Sequence, residues 1–539
     1  MRQPVTSPSY KGLADKAIRR RIDVAFRNWV RITAKNMKKT IILSLILLVA
    51  PLLGVAGTFR YAEDQAPAIA NPLFTTTMSE ARLNELVFDS LFNDNAELAT
   101  TPSLVESMEQ NERGTELTLH LRQDIEWHDG QPFTAKDVVF TINAMKDHRT
   151  LSTEAGRAEW IASVSSSSEY TVNLVFEEPE ATPQDKLYFK ILPAHRFDST
   201  EVKRTDNFRA SPIGTGPYEL KRYNDDNSIT LQKSEGYRKD LEIPEIVMRE
   251  VSDKNYQAKL LLYESLEALV RVLPRDLAVL QNNRKVELYP YQTNSWWYLG
   301  FNLERAPFDD VRVRQAISYM VDIEGLLAPI GTGDIITGPF VKSSPYYNHK
   351  VSALAPNQGR VQTLLEEAGY TYDGNRWSKK GVPLSIRIKA HKGIESSQEV
   401  VINLQSQLQA AGVEVEVDFL DKAHWKASVW KDRDFDTILS QWSFDRNEDI
   451  REQFHSEGTR NFTTYSNEEV DALLTLSRTT RDPQEKKQAL RKLHALVHDD
   501  TPMVFLWTLD SYSAMSTKVN NVVIHPFYFF TWVSDWESY

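Results

Sequence analysis

Four charges crowd the end of one segment: Asp445, Arg446, Glu448 and Asp449 follow Trp442 in DTILSQWSFDRNED (436–449). A carboxylate here could take up a ligand ammonium, because an unpaired charge removed from water is very costly. The plainer alternative is a solvated charged loop. A second group is Asn294-Ser295-Trp296-Trp297-Tyr298. Strand alternation puts Trp296 and Tyr298 on one face and Trp297 on the other. One face must be core, and Trp297 is assigned to a cleft. A third is Pro72–Glu80, PLFTTTMSE, where Thr76, Thr77 and Ser79 offer hydroxyls and Met78 an adaptable apolar surface. Its plain reading is an N-cap for a following helix.

Other chemistries are poorly represented. His128 in WHDG stands beside a turn without partners, so it reads as structural. The remaining His residues show no pair at ligand spacing, and no metal is expected. The chain of 539 residues has no Cys, which excludes a disulfide framework, a thiolate metal site and a cysteine nucleophile. Walker A, H-E-x-x-H and G-x-S-x-G motifs are missing. No cofactor is called for, and no enzyme.

The elements that must position these residues alternate in type. Thr58–Ala62, Glu116–Leu121 and Tyr170–Phe176 read as strands, and Ser79–Phe92 as a helix. Thr134 is the expected N-cap of a helix over Ala135–Met145. PIGTGPY (212–218) is a Gly/Pro-rich link. Beyond it, Ser228–Gln232, Ile246–Val251, Trp296–Asn302, Leu384–Lys389 and Val413–Phe419 read as strands. Asp253–Ser265, Asp309–Val321, Glu399–Ala411, Ser466–Thr479 and Pro483–Asp499 read as helices. This mixture predicts α/β architecture in two or three domains.

Charge is unevenly spread. Residues 1–39 carry 11 Lys/Arg against 2 Asp/Glu, net +9; the rest carries 52 against 72, net −20. An acidic body argues against nucleic acid as partner. Residues 41–56, IILSLILLVAPLLGVA, suit the apolar part of a secretory signal after Lys38 and Lys39. Met37 is the expected start, with cleavage before Gly57. The competing reading keeps Ala17–Ala34 as an amphipathic helix and residues 41–56 as an anchor. In both, the body lies across the inner membrane, in the periplasm.

Several ordered blocks carry a family resemblance. They are SEARLNELVFDSLFND, PSLVESMEQNERGTELTLHLRQDIEWHDGQPFTAKDVVFTINAM, SPIGTGPYEL, LGFNLERAPFDDVRVRQAISYMVD and LLEEAGY. Together they resemble the extracytoplasmic solute-binding proteins of family 5, the peptide- and nickel-type binding proteins of ABC importers. The resemblance implies a two-lobed α/β clamp with an additional domain. Lobe I would comprise 57–90, 212–295 and 510–539; the inserted domain 91–211; lobe II 296–509; and the leader 1–56. It implies a monomer that captures a peptide or peptide-like solute between its lobes and hands it to permease subunits. Asp445 would then pair with the ligand's α-ammonium, with Trp442 as a wall; Glu448 and Asp449 are the alternative acids. Pro72–Glu80 would be the cleft loop of lobe I, giving Thr77 and Met78 as ligand contacts. A membrane-anchored sensor or scaffold on the same fold is the alternative function.

Overall fold

A computed structural model describes residues 57–538, apart from 293, 294, 395, 445 and 447. The expected leader, the amphipathic N-terminal segment and Asp445 lie outside the described residues. Among the described residues, no helix is long and apolar enough to cross a membrane.

Three large sheets organise the chain. In the first, Thr58–Glu63 pairs in parallel with both Glu245–Glu250 and Ala268–Leu269. Strands Tyr218–Tyr223, Ile229–Lys233, Val286–Gln292 and Trp507–Ser516 extend the sheet outward, and Gly333–Ile335 joins the last. TFRYAE is buried almost throughout because it lies between two cores: Phe59 and Tyr61 pack into the main one, and Ala62 into a smaller cluster behind it. A strand covered on both faces loses the in–out alternation of a surface strand.

The second sheet runs in the order Glu414–Leu420, Ser385–His391, Thr437–Ser443, Ser295–Phe301, Met503–Phe505. Helix Ser397–Ala410 makes the crossover between the parallel strands Ser385–His391 and Glu414–Leu420, burying Val400, Val401, Leu404 and Leu408. Ser295–Phe301 lies between two antiparallel neighbours and has a core on each face. Trp296 and Tyr298 enter one core; Trp297, Leu299 and Phe301 enter the other. The alternation is as expected, but the assignment of Trp297 to a cleft needs correction. Trp297 is 1% exposed and packs 5.7 Å from Trp507. The sequence could show two faces but not that helices cover both.

The third sheet is an antiparallel set: Val105–Gln110, Glu116–Leu121, Thr171–Phe176 and Ile161–Ser168. Helix Ala135–Lys146 packs Val138 and Ile142 into its core. Thr134 is the N-cap; the Asp137 carboxylate accepts its backbone N–H (2.8 Å) and that of Ala194 (2.8 Å).

The PIGTGPY link has a local reason to be rich in glycine. Helix Met78–Val87 stops five residues short of expectation, because Phe88 turns extended. The Val87 carbonyl it leaves accepts the Gly216 N–H (2.9 Å). A β-carbon on Gly214 would stand 1.7 Å from that oxygen, and one on Gly216 2.6 Å from the Val87 carbonyl carbon. His128 fastens the same link: its Nε2–H donates to Gly216 O (2.9 Å), and Nδ1 accepts the Gly214 N–H (3.2 Å). Burial holds its imidazole below its usual pKa. The WHDG histidine is structural, as its isolation suggested.

Two measurements test this packing. Trp297→Ala should cost about 3–5 kcal/mol in chemical denaturation, the range for emptying a core aromatic site; a loss near zero would return Trp297 to a surface role. His494 has no exposed area and bonds the Thr337 hydroxyl (2.8 Å). Burial, with His498 and His349 nearby, pulls its pKa down to about 3 from 6.5. The neutral ring's contribution is complete above pH 6.5 and is lost as pH falls toward 3, since only the unfolded chain takes the proton in that window. His494→Gln should therefore flatten the fall in stability between pH 7 and pH 5 by about 2 kcal/mol. An unchanged pH slope would refute the assignment.

Candidate functional site

A cavity of about 680 Å³ opens between the third-sheet region and the second-sheet region. One wall is the hairpin Phe92–Asp94/Thr100–Pro102 and the turn over Pro183–Lys186. Asn95 builds the hairpin tip: its side chain accepts the N–H groups of Glu97 (3.1 Å) and Ala99 (2.9 Å). That leaves Glu97 and Leu98 lining the cavity. The opposite wall is the turn after strand Thr437–Ser443, with helices Glu468–Thr479 and Pro483–Asp500. Phe444 and Phe527 meet edge to face at 5.8 Å on the apolar side.

Charged pairs hold the walls. Glu180 is buried and binds Lys186 (2.7 Å) and Arg478 (3.0 Å), which reach it from opposite walls. Asp94 is buried against Arg446 and His525. His525 Nδ1 accepts the N–H groups of Phe527 and Tyr528, both at 3.0 Å. Its proton therefore sits on Nε2, 3.0 Å from Asp94. Burial holds His525 below its ordinary pKa despite the carboxylate. Burial and the neighbouring Glu448 push the Tyr346 phenol up to about 12, so it stays a neutral donor at the cavity edge.

Other lining charges have no ion-pair partner among the described residues. Glu97, Asp449, Arg451 and Lys486 make no salt bridge with the described residues. Lys486 lies 5.7 Å from the Tyr346 ring centre. The cavity thus presents both signs of charge alongside aromatic surface. Among the described residues, no group of three His, Cys, Asp or Glu side chains could hold a metal ion.

The residues singled out from sequence fare differently. Asp445 is not described, but its chain neighbours Phe444 and Arg446 both line the cavity, as do Glu448 and Asp449. Trp442 does not. It lines a small void with Trp296 and Tyr298, and the Arg460 guanidinium lies 5.7 Å from its ring centre. Thr77 is the N-cap of helix Met78–Val87: its hydroxyl accepts the Glu80 N–H (3.2 Å), and the Glu80 carboxylate accepts the Thr77 N–H (3.1 Å). Its neighbour Met78 is 58% exposed at the first turn. Neither Thr77 nor Met78 lines the cavity, and Trp297 is in the core. Capping chemistry explains this segment where ligand contact was expected. Sequence reading missed Asp94, Glu180, Arg478 and His525 altogether, and took Arg446 only as one of several loop charges. Each of these acts through a partner far away in the chain.

Known proteins share this fold. Residues 99–458 match the model of the bacterial extracellular solute-binding proteins, family 5, middle region. The oligopeptide-binding protein AppA of Bacillus subtilis is 23% identical over 478 residues, covering 85% of this chain and 88% of the relative. The dipeptide-binding protein of Escherichia coli is 23% identical, covering 90% and 95%. The solved structure of B. subtilis AppA with a nonapeptide superposes with a TM-score of 0.72 at 22% identity, covering 90% of this chain and 99% of that one. The fold is the two-lobed clamp of periplasmic binding proteins, in mixed α/β form. The match spans well over half of the sequence in one continuous block, and the chain belongs to the bacterial extracellular solute-binding proteins of family 5.

Proposed function

We propose that this protein binds a peptide or peptide-like solute in the 680 Å³ cavity and delivers it to the permease of an ABC importer. The observation that carries the reading is the set of lining charges of both signs that make no salt bridge among the described residues, Glu97 and Asp449 with Arg451 and Lys486. A peptide has an ammonium at one end and a carboxylate at the other, so it complements such a lining. The volume falls within the range of about 300–1,000 Å³ usual for sites that enclose a small ligand. Relatives named for oligopeptide and dipeptide binding support the ligand class.

In this reading the protein is a monomer that works outside the cytoplasm, and it performs no chemistry on its ligand. Separate subunits hydrolyse ATP. Asp445 takes the ligand ammonium from the turn between Phe444 and Arg446. Closure excludes water from that pair, and the low-dielectric surroundings strengthen it. Uncleaved residues 41–56 would tether the body to the inner membrane without changing the cavity.

Mass spectrometry of small molecules released by denaturing the purified protein is the direct test. Short peptides are expected; a single non-peptide compound would overturn the peptide reading. With a peptide so identified, Asp445→Ala should weaken binding of the free-amine form by about 3–5 kcal/mol in calorimetry, and that of its N-acetylated form far less. Equal losses for the two forms would remove Asp445 from the ammonium role.

A further inference from the structure

Arg446 leaves the body that carries it. It follows strand Thr437–Ser443 of the second sheet, yet among the described residues its guanidinium donates to groups on the opposite wall. Nε donates to Asp94 Oδ2 (2.9 Å) and Nη2 to Asp94 Oδ1. Nη2 also reaches the Thr100 hydroxyl (2.8 Å), and Nη1 the Asp185 carbonyl (2.8 Å). The Tyr188 ring lies 5.4 Å from the guanidinium carbon. The Arg446 and Asp94 side chains are only 7% and 4% exposed.

The receiving pocket is held together without Arg446. Asp94 also accepts from His525, whose side chain has no exposed area and whose ring is fixed by two backbone N–H groups. The Asp94 carbonyl accepts the Trp532 indole N–H (3.0 Å). The Thr100 hydroxyl donates to Asp185 (2.5 Å), leaving its oxygen to accept from Arg446. The acceptors thus have partners besides the guanidinium, and a planar fork suits a carboxylate approached in two-point fashion.

We infer that Arg446 is a positioning residue: seating its guanidinium on Asp94, Thr100 and Asp185 docks its own wall, with Phe444, Glu448 and Asp449, against the opposite wall and completes the ligand cavity. The inference rests on taking that cavity as the ligand site, but the docking itself is independent of what the ligand is. A hinged clamp closes in proportion to the interactions made only in its closed state. This ion pair is one such interaction. With the lobes apart, water solvates both charges; with them together, each is the other's partner.

Without a native Cys, spin labels can be placed cleanly at Ser166→Cys and Glu367→Cys, two exposed positions on the two bodies. Pulsed EPR then gives the distance distribution between them, with and without the peptides that co-purify. The labelled protein should populate the short distance of this structure. Arg446→Met, close in volume but uncharged, should lower that population at least about tenfold. Arg446→Lys should restore it in part, since one ammonium replaces a two-point fork. Asp94→Asn is a second variant with the same expected loss, and adding it to Arg446→Met should lower the population little further.

The idea fails if Arg446→Met keeps the short-distance population of the parent, or if the parent never shows that distance. Loss of that population in Arg446→Met, in a protein that carries no peptide, would support the docking and overturn only the peptide reading. A merely structural role would lower the melting temperature and leave the distances unchanged.

Discussion

A carboxylate with almost no access to water constrains much of this molecule. Asp94 is bound by Arg446, which lies 352 residues later, and by His525, which lies 431 residues later. A buried carboxylate without partners would be protonated or would open its surroundings to water. Its partners therefore fix the mutual placement of three chain segments: the 92–102 hairpin, the turn after Thr437–Ser443, and the stretch that closes the chain. The cavity lies among these segments, so its shape follows from satisfying one charge. Glu180 repeats the device lower on the same wall, with Lys186 from its own side and Arg478 from across.

The sheets explain how such distant segments meet. The first sheet takes its central strand from residues 58–63 and one of its outer strands from residues 507–516. The chain thus leaves this sheet, builds two other bodies and returns. The return brings His525, Phe527 and Trp532 beside the early hairpin. The glycine-rich link is a second fixed point. Its backbone lies so close to the end of helix Met78–Val87 that a side chain at Gly214 or Gly216 would collide with the Val87 carbonyl group. His128 then closes the arrangement with one donor and one acceptor, both of which need the neutral ring.

Local patterns were the legible part of the sequence. Alternation in ELTLHL gives a strand with three inward residues, and Thr134 with Asp137 marks where the following helix starts. These signals lie within a few residues and depend on backbone geometry alone. Signals that depend on a distant partner were not legible. The end of helix Met78–Val87 depends on Gly216, more than a hundred positions later. Alternation placed Trp297 opposite Trp296, but only the fold shows that Trp507 and its neighbours cover that face. Thr77 satisfies helix N–H groups through Glu80, three residues on, which the plain reading of that segment had allowed. The charged stretch singled out from sequence does border the cavity, since Phe444, Arg446, Glu448 and Asp449 all line it. Sequence could not say which of those charges is consumed by the protein itself.

That distinction decides what a ligand meets. The net charge of −11 suggests an acidic site, yet among the described residues the cavity lining sets six acids, Asp94, Glu97, Glu180, Asp185, Glu448 and Asp449, against five bases. Asp94 and Glu180 are neutralised by Arg446, Lys186 and Arg478 before any ligand arrives. Such pairs spend their field on each other; in a desolvated setting that is the condition for their being buried at all. What remains to act at a distance are the charges without a salt bridge among the described residues, which carry both signs. The peptide proposed for this cavity carries both signs of charge, as these lining residues do. In the proposed reading, selectivity follows from the lining charges without a salt bridge among the described residues, and the bulk charge of the chain carries no information about them.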